Sequence, residues 1–152
     1  MATIRTALLA KLEGDATLTG ILTGGVWDAS EVDRRGVTPR EAVYEADGVR
    51  LKPLAVVRWR SAVSTEIVQI SERRFFEIYF YEDYGYVKIE TAKRRVKALL
   101  HRELLPVAGE GTYFTVWVDD LGERVMEEED VFGGASMDMS RFYIIYTDRD
   151  RE

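Results

Sequence analysis

The stretch ERRFFEIYFYED, residues 72–83, constrains the fold more than any other part of the chain. Phe, Ile and Tyr dominate it, and neither Gly nor Pro interrupts it, which is strand chemistry. A strand with one face in water alternates apolar and polar residues. Here Phe76, Ile78 and Phe80 share one side, while Phe75, Tyr79 and Tyr81 share the other with only Glu77 among them. Both faces of the sheet that holds this strand therefore need a cover.

The surrounding pattern predicts what the chain can supply. Ile4, Leu8 and Leu12 recur at intervals of four and predict a first helix over 3–12. Gly14 and Asp15 follow as a helix stop and an N-cap for a short turn over 16–22. Val26-Trp27 starts a short strand before a long segment without periodicity, about 24–53. LAVVRWRS, residues 54–61, and the long strand 66–83, with a break near Ser71, make a hairpin with arms of different length. GYVKIETAKRRVKALLHREL predicts a second main helix, with Ile89, Ala92, Val96, Leu99 and Leu100 on its buried stripe. TYFTVWVDD (112–120) and RFYIIYT (141–147) are further strands, separated by an acidic, glycine-containing loop over about 121–140. With 152 residues, 46% apolar and 32% charged, the expectation is a single α+β domain over 1–152. Its sheet is mostly antiparallel, of four to five strands, with two main helices on one face and two long loops.

Two helices cover one face of such a sheet and not the other. One assignment groups Phe114, Val116 and Val118 with Phe76, Ile78 and Phe80 against the helices. Phe75, Tyr79, Tyr81, Tyr113 and Trp117 then form the second face. Which face lies inward stays open at this level. Five aromatic side chains at 150–250 Å² each exceed what soluble monomers usually expose. Three covers are available: the chain's own long loops, a neighbouring subunit, or a small molecule in an aromatic pocket. Charge is unevenly placed as well. The second helix carries Lys88, Lys93, Arg94, Arg95, Lys97 and Arg102, whereas the loop before the 141–147 strand carries Glu123, Glu127, Glu128, Glu129 and Asp130. These are either two solvated faces or complementary parts of a subunit interface, with Arg94 and Arg95 meeting Glu127, Glu128 and Glu129 of the next copy. A basic helix touching DNA is a third possibility.

The residues offer little for catalysis. There is no Cys and one His, His101, so disulfides, thiolate nucleophiles and the common zinc sites have no ligands. No nucleophile elbow, P-loop or dinucleotide fingerprint occurs, and the glycine pairs 24–25 and 133–134 sit in loops. Asp119-Asp120 and the acidic run at 127–130 fit no calcium loop. No catalytic residue, cofactor or metal is expected. A net charge of −6 argues against general nucleic-acid affinity, and no apolar run approaches the ~20 residues that cross a bilayer.

The segments ALLAKLEGDATLTGILTGGVWD, AVVRWRS, SERRFFEIYFYEDYGYVKIETAKRRVKALLH and TYFTVWVDDLGE, taken in order, resemble the tail terminator (tail completion) proteins of long-tailed bacteriophages and related particles. The resemblance covers most of the chain and rests on element order, size and texture. It implies a small α+β subunit of a hexameric ring that caps the tail tube, ends its growth and docks to the head–tail connector. It also implies partners (copies of itself, tail tube protein, connector proteins), at most nonspecific contact with DNA passing through the channel, no membrane, and a place in the virion tail or neck after assembly in the bacterial host cytoplasm. The family has no catalytic residues to carry over. Two other readings stand beside it: another neck or connector component, and a small ligand-binding domain or enzyme with an aromatic pocket.

Overall fold

The computed structural model describes residues 4–30, 43–46, 50–64, 71–105, 112–127 and 132–147. Helix α1 (Ile4–Glu13) buries Leu8 and Leu12, one turn apart. Gly14 ends it, its N–H donating to Ala10 O at 2.9 Å. Asp15 then caps α2 (Ala16–Ile21) by accepting the Leu18 N–H at 2.9 Å. Helix α3 (Val87–Leu100) buries Ile89, Ala92, Val96 and Leu100, the single stripe its periodicity requires. Its first residues lack a Ser, Thr, Asp or Asn cap. Glu82, at the end of the preceding strand, accepts the Lys88 N–H at 3.3 Å instead.

The strands are β1 (Val26–Asp28), β2 (Leu54–Ser64), β3 (Ser71–Glu82), β4 (Glu103–Leu105), β5 (Thr112–Asp120), β6 (Arg124–Val125) and β7 (Ser136–Thr147). They form one seven-stranded sheet in the order β1-β2-β3-β7-β5-β4, with β6 also pairing with β7. This corrects the expectation of four to five strands. The sheet is mixed, because β1 runs parallel to β2 while the other pairs are antiparallel. The parallel pairing depends on a close backbone approach: Gly24 N–H donates to Pro53 O at 2.8 Å, and a Cβ at position 24 would lie 2.9 Å from that oxygen.

The hairpin and the central pairing follow sequence order only in part. β3 pairs with β2 as expected, yet its other neighbour is the last strand, β7, which begins at Ser136 rather than 141. Those added residues escaped notice because Ser136, Asp138 and Ser140 are polar and nevertheless buried. At the outer edge, Lys11 Nζ donates to Leu104 O at 3.2 Å and places a charge on strand β4.

Two apolar clusters result. The larger lies between α1, α2 and α3 and one sheet face: Leu8, Leu12, Leu18, Val57, Phe76, Ile78, Phe80, Ile89, Val96, Phe142 and Ile144 are among its members. The smaller lies on the opposite face, where Val43, Leu51, Phe132 and Ala135 cover Leu54, Val56, Tyr81, Met137 and Met139. Part of the second face is thus sheltered by the chain's own connecting segments.

Candidate functional site

Register decides which aromatic side chains share a face, and it redraws the expected grouping. Phe76 pairs with Phe142, and Phe142 pairs with Trp117, so these three stand on the helix side of the sheet. Trp117 packs against the larger cluster, and its Nε1–H donates to Asp120 Oδ1 at 3.0 Å. Phe114 pairs with Ile145 and Val116 with Tyr143, which places them with Phe75 on the far side. Each strand alternates by itself, but the phase between two strands is set by their pairing. The assignment of Trp117 to the second face, and of Phe114 and Val116 to the first, therefore exchanges.

The other named aromatics divide as follows. Tyr81 is 8% exposed, its ring 4.9 Å from that of Phe132. Phe75 and Tyr79 are half-buried on the far face. Tyr113 lies in β5 with its side chain outside the described residues.

Beyond the patch closed by Phe132, the far face carries a strip across β2, β3, β7 and β5 that stays open among the described residues. Phe75, Tyr79, Phe114, Val116, Tyr143 and Ile145 are each half-buried there. The Phe75 and Tyr143 rings meet edge to face at 6.0 Å. Arginines frame these rings: Arg73 lies 4.6 Å above the Tyr143 ring and Arg58 5.7 Å above Tyr79. Arg60 Nε donates to Glu77 Oε1 at 2.6 Å and its Nη2 to Tyr79 Oη at 3.1 Å, while the Tyr79 hydroxyl donates to Glu77 at 2.9 Å. Arg141 Nε stands 3.6 Å from Glu77 and 3.7 Å from Asp119. Burial, with the bond to Glu77 beside it, raises the Tyr79 pKa above its usual value. The Glu77 bond raises that of Arg60. Sequence reasoning placed Arg58 and Arg60 on one face of the 54–61 strand but passed over Arg73, Arg141 and Tyr143, although Arg73, Phe75, Glu77 and Tyr79 alternate on one side of a single strand. That alternation was the available signal.

On the helix side, much of the α3 charge is met within the chain. Arg95 holds Asp15 through Nε at 2.8 Å and Nη2 at 2.6 Å. Lys93 Nζ donates to Asp138 Oδ2 at 2.5 Å, and Lys97 Nζ to Asp120 Oδ2 at 2.9 Å. Asp120 also accepts from Ser140 Oγ at 2.8 Å. Burial alone would raise the Asp120 pKa, but the Lys97, Ser140 and Trp117 donors outweigh it and leave it lowered. Burial likewise opposes the charge on Lys93, and the two carboxylates prevail, raising its pKa. Arg94 and Glu127 are exposed, whereas Glu128 and Glu129 lie outside the described residues.

The same network fixes the corner between β5 and β6. Gly122, at φ +107°, donates its N–H to Asp138 Oδ1 at 2.9 Å, and Leu121 N–H donates to Met139 O at 2.8 Å. Around it, Val125 is 66% exposed and Leu121 40%. Tyr86 Oη donates to Arg124 O at 2.9 Å, joining the start of α3 to this corner. His101, just past α3, accepts the Trp117 N–H on Nδ1 at 3.1 Å, a structural contact at the helix end.

A cleft of about 210 Å³ lies away from the strip, lined by Glu45, Arg50, Glu82, Asp83 and Lys88 among others. Small-molecule sites are usually roughly 300–1,000 Å³ and predominantly apolar. Among the described residues no group of three or more His, Asp or Glu side chains is placed to hold a metal ion.

No family model matches the chain, and no curated protein matches it either. Among solved structures it is similar to a chain of the virion of a native gene transfer agent particle. The TM-score is 0.61 at 15% sequence identity, covering 95% of this chain and 94% of that one. The two chains share a fold. The likeness runs over nearly all of both.

Proposed function

We propose that the chain is a structural component of a virion, and within that class a ring-forming tail terminator that caps the tail tube and offers a docking surface to the head–tail connector. The observation that carries the proposal is the near end-to-end fold likeness to a virion chain. The resemblance in element order to tail terminators supports the finer placement. The strip supplies the physical motive, because half-buried aromatic and aliphatic side chains on a sheet face left open among the described residues gain free energy when a neighbour covers them. Such a protein works by burial and shape, without turnover.

The test uses the purified chain together with the tail tube protein of the same particle. Electron microscopy of tubes assembled with the chain should show a ring at one end and a narrowed length distribution. Multi-angle light scattering should show ring-sized species, alone or on the tube. A 17.4 kDa monomer at every concentration, with tubes unaltered in length and ends, would remove the terminator reading. Rings that leave tube length unchanged but bind connector protein would instead assign the chain to another level of the neck.

A further inference from the structure

Beyond the assembly role, we infer that the outer edge of the sheet, along β4 and the end of β5, is closed against strand addition by a second copy of the chain. An antiparallel strand joins an edge through outward N–H and C=O groups that recur every second residue. β4 is three residues long and covers β5 only at Tyr113, Phe114 and Thr115. Among the described residues no strand pairs with β4 on its outer side, and Leu104 on it is 61% exposed. Unpaired backbone beside an exposed apolar side chain is the combination that recruits further strands.

Three devices occupy this edge. Lys11 Nζ, from the last turn of α1, donates to Leu104 O at 3.2 Å and sets a charge on β4. At the end of β4, Thr115 O accepts the Arg102 N–H at 2.8 Å, and Trp117 N–H donates to His101 Nδ1 at 3.1 Å. The pairing of β5 with β7 then skips a residue: Trp117 opposes Phe142 and Asp119 opposes Arg141, which leaves Val118 as a bulge. A bulge breaks the two-residue spacing and turns an edge away from a neighbour. A strand approaching β5 therefore finds Thr115 O and Trp117 N–H already bonded, and past them the spacing is lost.

Two features serve this closure at a local cost. Arg102 has φ +58°, a left-handed conformation that residues other than glycine adopt under strain. That turn lets two consecutive residues, His101 and Arg102, both meet the edge of β5. Val118 is 38% exposed, and the ladder does not need it. Without it, Trp117, Asp119 and Asp120 would alternate regularly against Phe142, Arg141 and Ser140 with every present pairing kept. The closure works in a lone molecule and in an assembly alike, because all of its contacts lie within one chain.

The experiment compares wild type with an edge variant that combines Lys11→Ala, His101→Ala and deletion of Val118. Circular dichroism and the melting temperature first establish that both are folded. Wild type should give no thioflavin T signal, whatever the size at which it sediments. The edge variant should bind the dye and form species that grow beyond any wild-type size, associating at least about tenfold more tightly. Hydrogen exchange locates the contact: relative to the dilute variant, the outward amides of Trp117 and Asp120 should gain protection in those species. If the combined change prevents folding, Lys11→Ala with His101→Ala carries the test, and the same two amides should gain protection. An edge variant that sediments like wild type, with unaltered exchange at both amides, overturns the inference. Association that leaves those amides unprotected also overturns it, because the copies then meet elsewhere. So does a wild type that is itself dye-positive and protected there on concentration, since its edge would be open.

Discussion

Asp15 joins two elements through one carboxylate. It caps α2 and accepts both guanidinium contacts from Arg95 of α3. The Arg95 hydrogen bond holds its pKa at about 2, below the ordinary aspartate value of 3.8, with burial opposing and the Leu18 N–H assisting. A folded-state pKa below the unfolded one means that the pair stabilises above the unfolded value and loses that contribution as pH falls through the folded one. Asn at position 15 keeps the cap and removes the charge. The difference in urea midpoint between wild type and Asp15→Asn should therefore be constant above about pH 5 and shrink as pH falls from about 4 to 2. A difference that persists unchanged to the lowest pH would mean that the pairing with Arg95 contributes nothing. Trp117 is the second residue with a distinct role. Its ring packs on the helix-side core, takes Lys97 Nζ at 4.2 Å over its face and donates to Asp120. Trp117→Ala should cost about 3 kcal/mol in denaturant unfolding, whereas Trp117→Phe should cost about 1 kcal/mol, mainly for the lost hydrogen bond. Equal losses for the two would show that the ring's packing is unimportant.

Among the elements, the loop that carries Phe132 has the clearest part. Phe132 is 5% exposed and closes the smaller apolar cluster over Tyr81. Phe132→Ala should destabilise by roughly 3 kcal/mol, read from thermal or urea unfolding. Binding of a hydrophobic dye should rise as Met137, Met139 and Tyr81 lose their cover. An unchanged midpoint would show that the second face closes without it. No periodicity in the sequence announces this lid, because a single aromatic in a Gly-containing loop has no repeat to detect. Elements with strong internal periodicity were legible: α1 and α3 by their stripes, and β2, β3 and β5 by apolar residues without breakers. Short β4 and β6 were not, since two or three residues cannot establish a period. The first half of β7 was hidden because Asp138 and Ser140 reach the interior only by virtue of Lys93 and Asp120, partners distant in the chain. The open strip was half legible. The excess of aromatics was visible, but the side on which Phe114, Val116 and Trp117 fall depends on pairing with β7, which the sequence of β5 does not contain.

Across the whole molecule, one strand organises the sheet. β7 pairs with β3 on one side and with β5 and β6 on the other, so its amides should be the slowest to exchange. Native-state hydrogen exchange should find residues 138–145 opening only with global unfolding, and β4 exchanging by local fraying. Equal protection in both would contradict the central position of β7. That position also bears on synthesis. A nascent chain emerging from the ribosome has made β1 to β3 and β4 to β5 before β7 exists, and these two groups meet only across that absent strand. Until Ser136 and the residues after it leave the exit tunnel, the two groups have no strand pairing between them, although α1 and α3 touch both. Joining of the two parts of the sheet, and with it any surface spanning β3 to β5, therefore waits on the translation of β7.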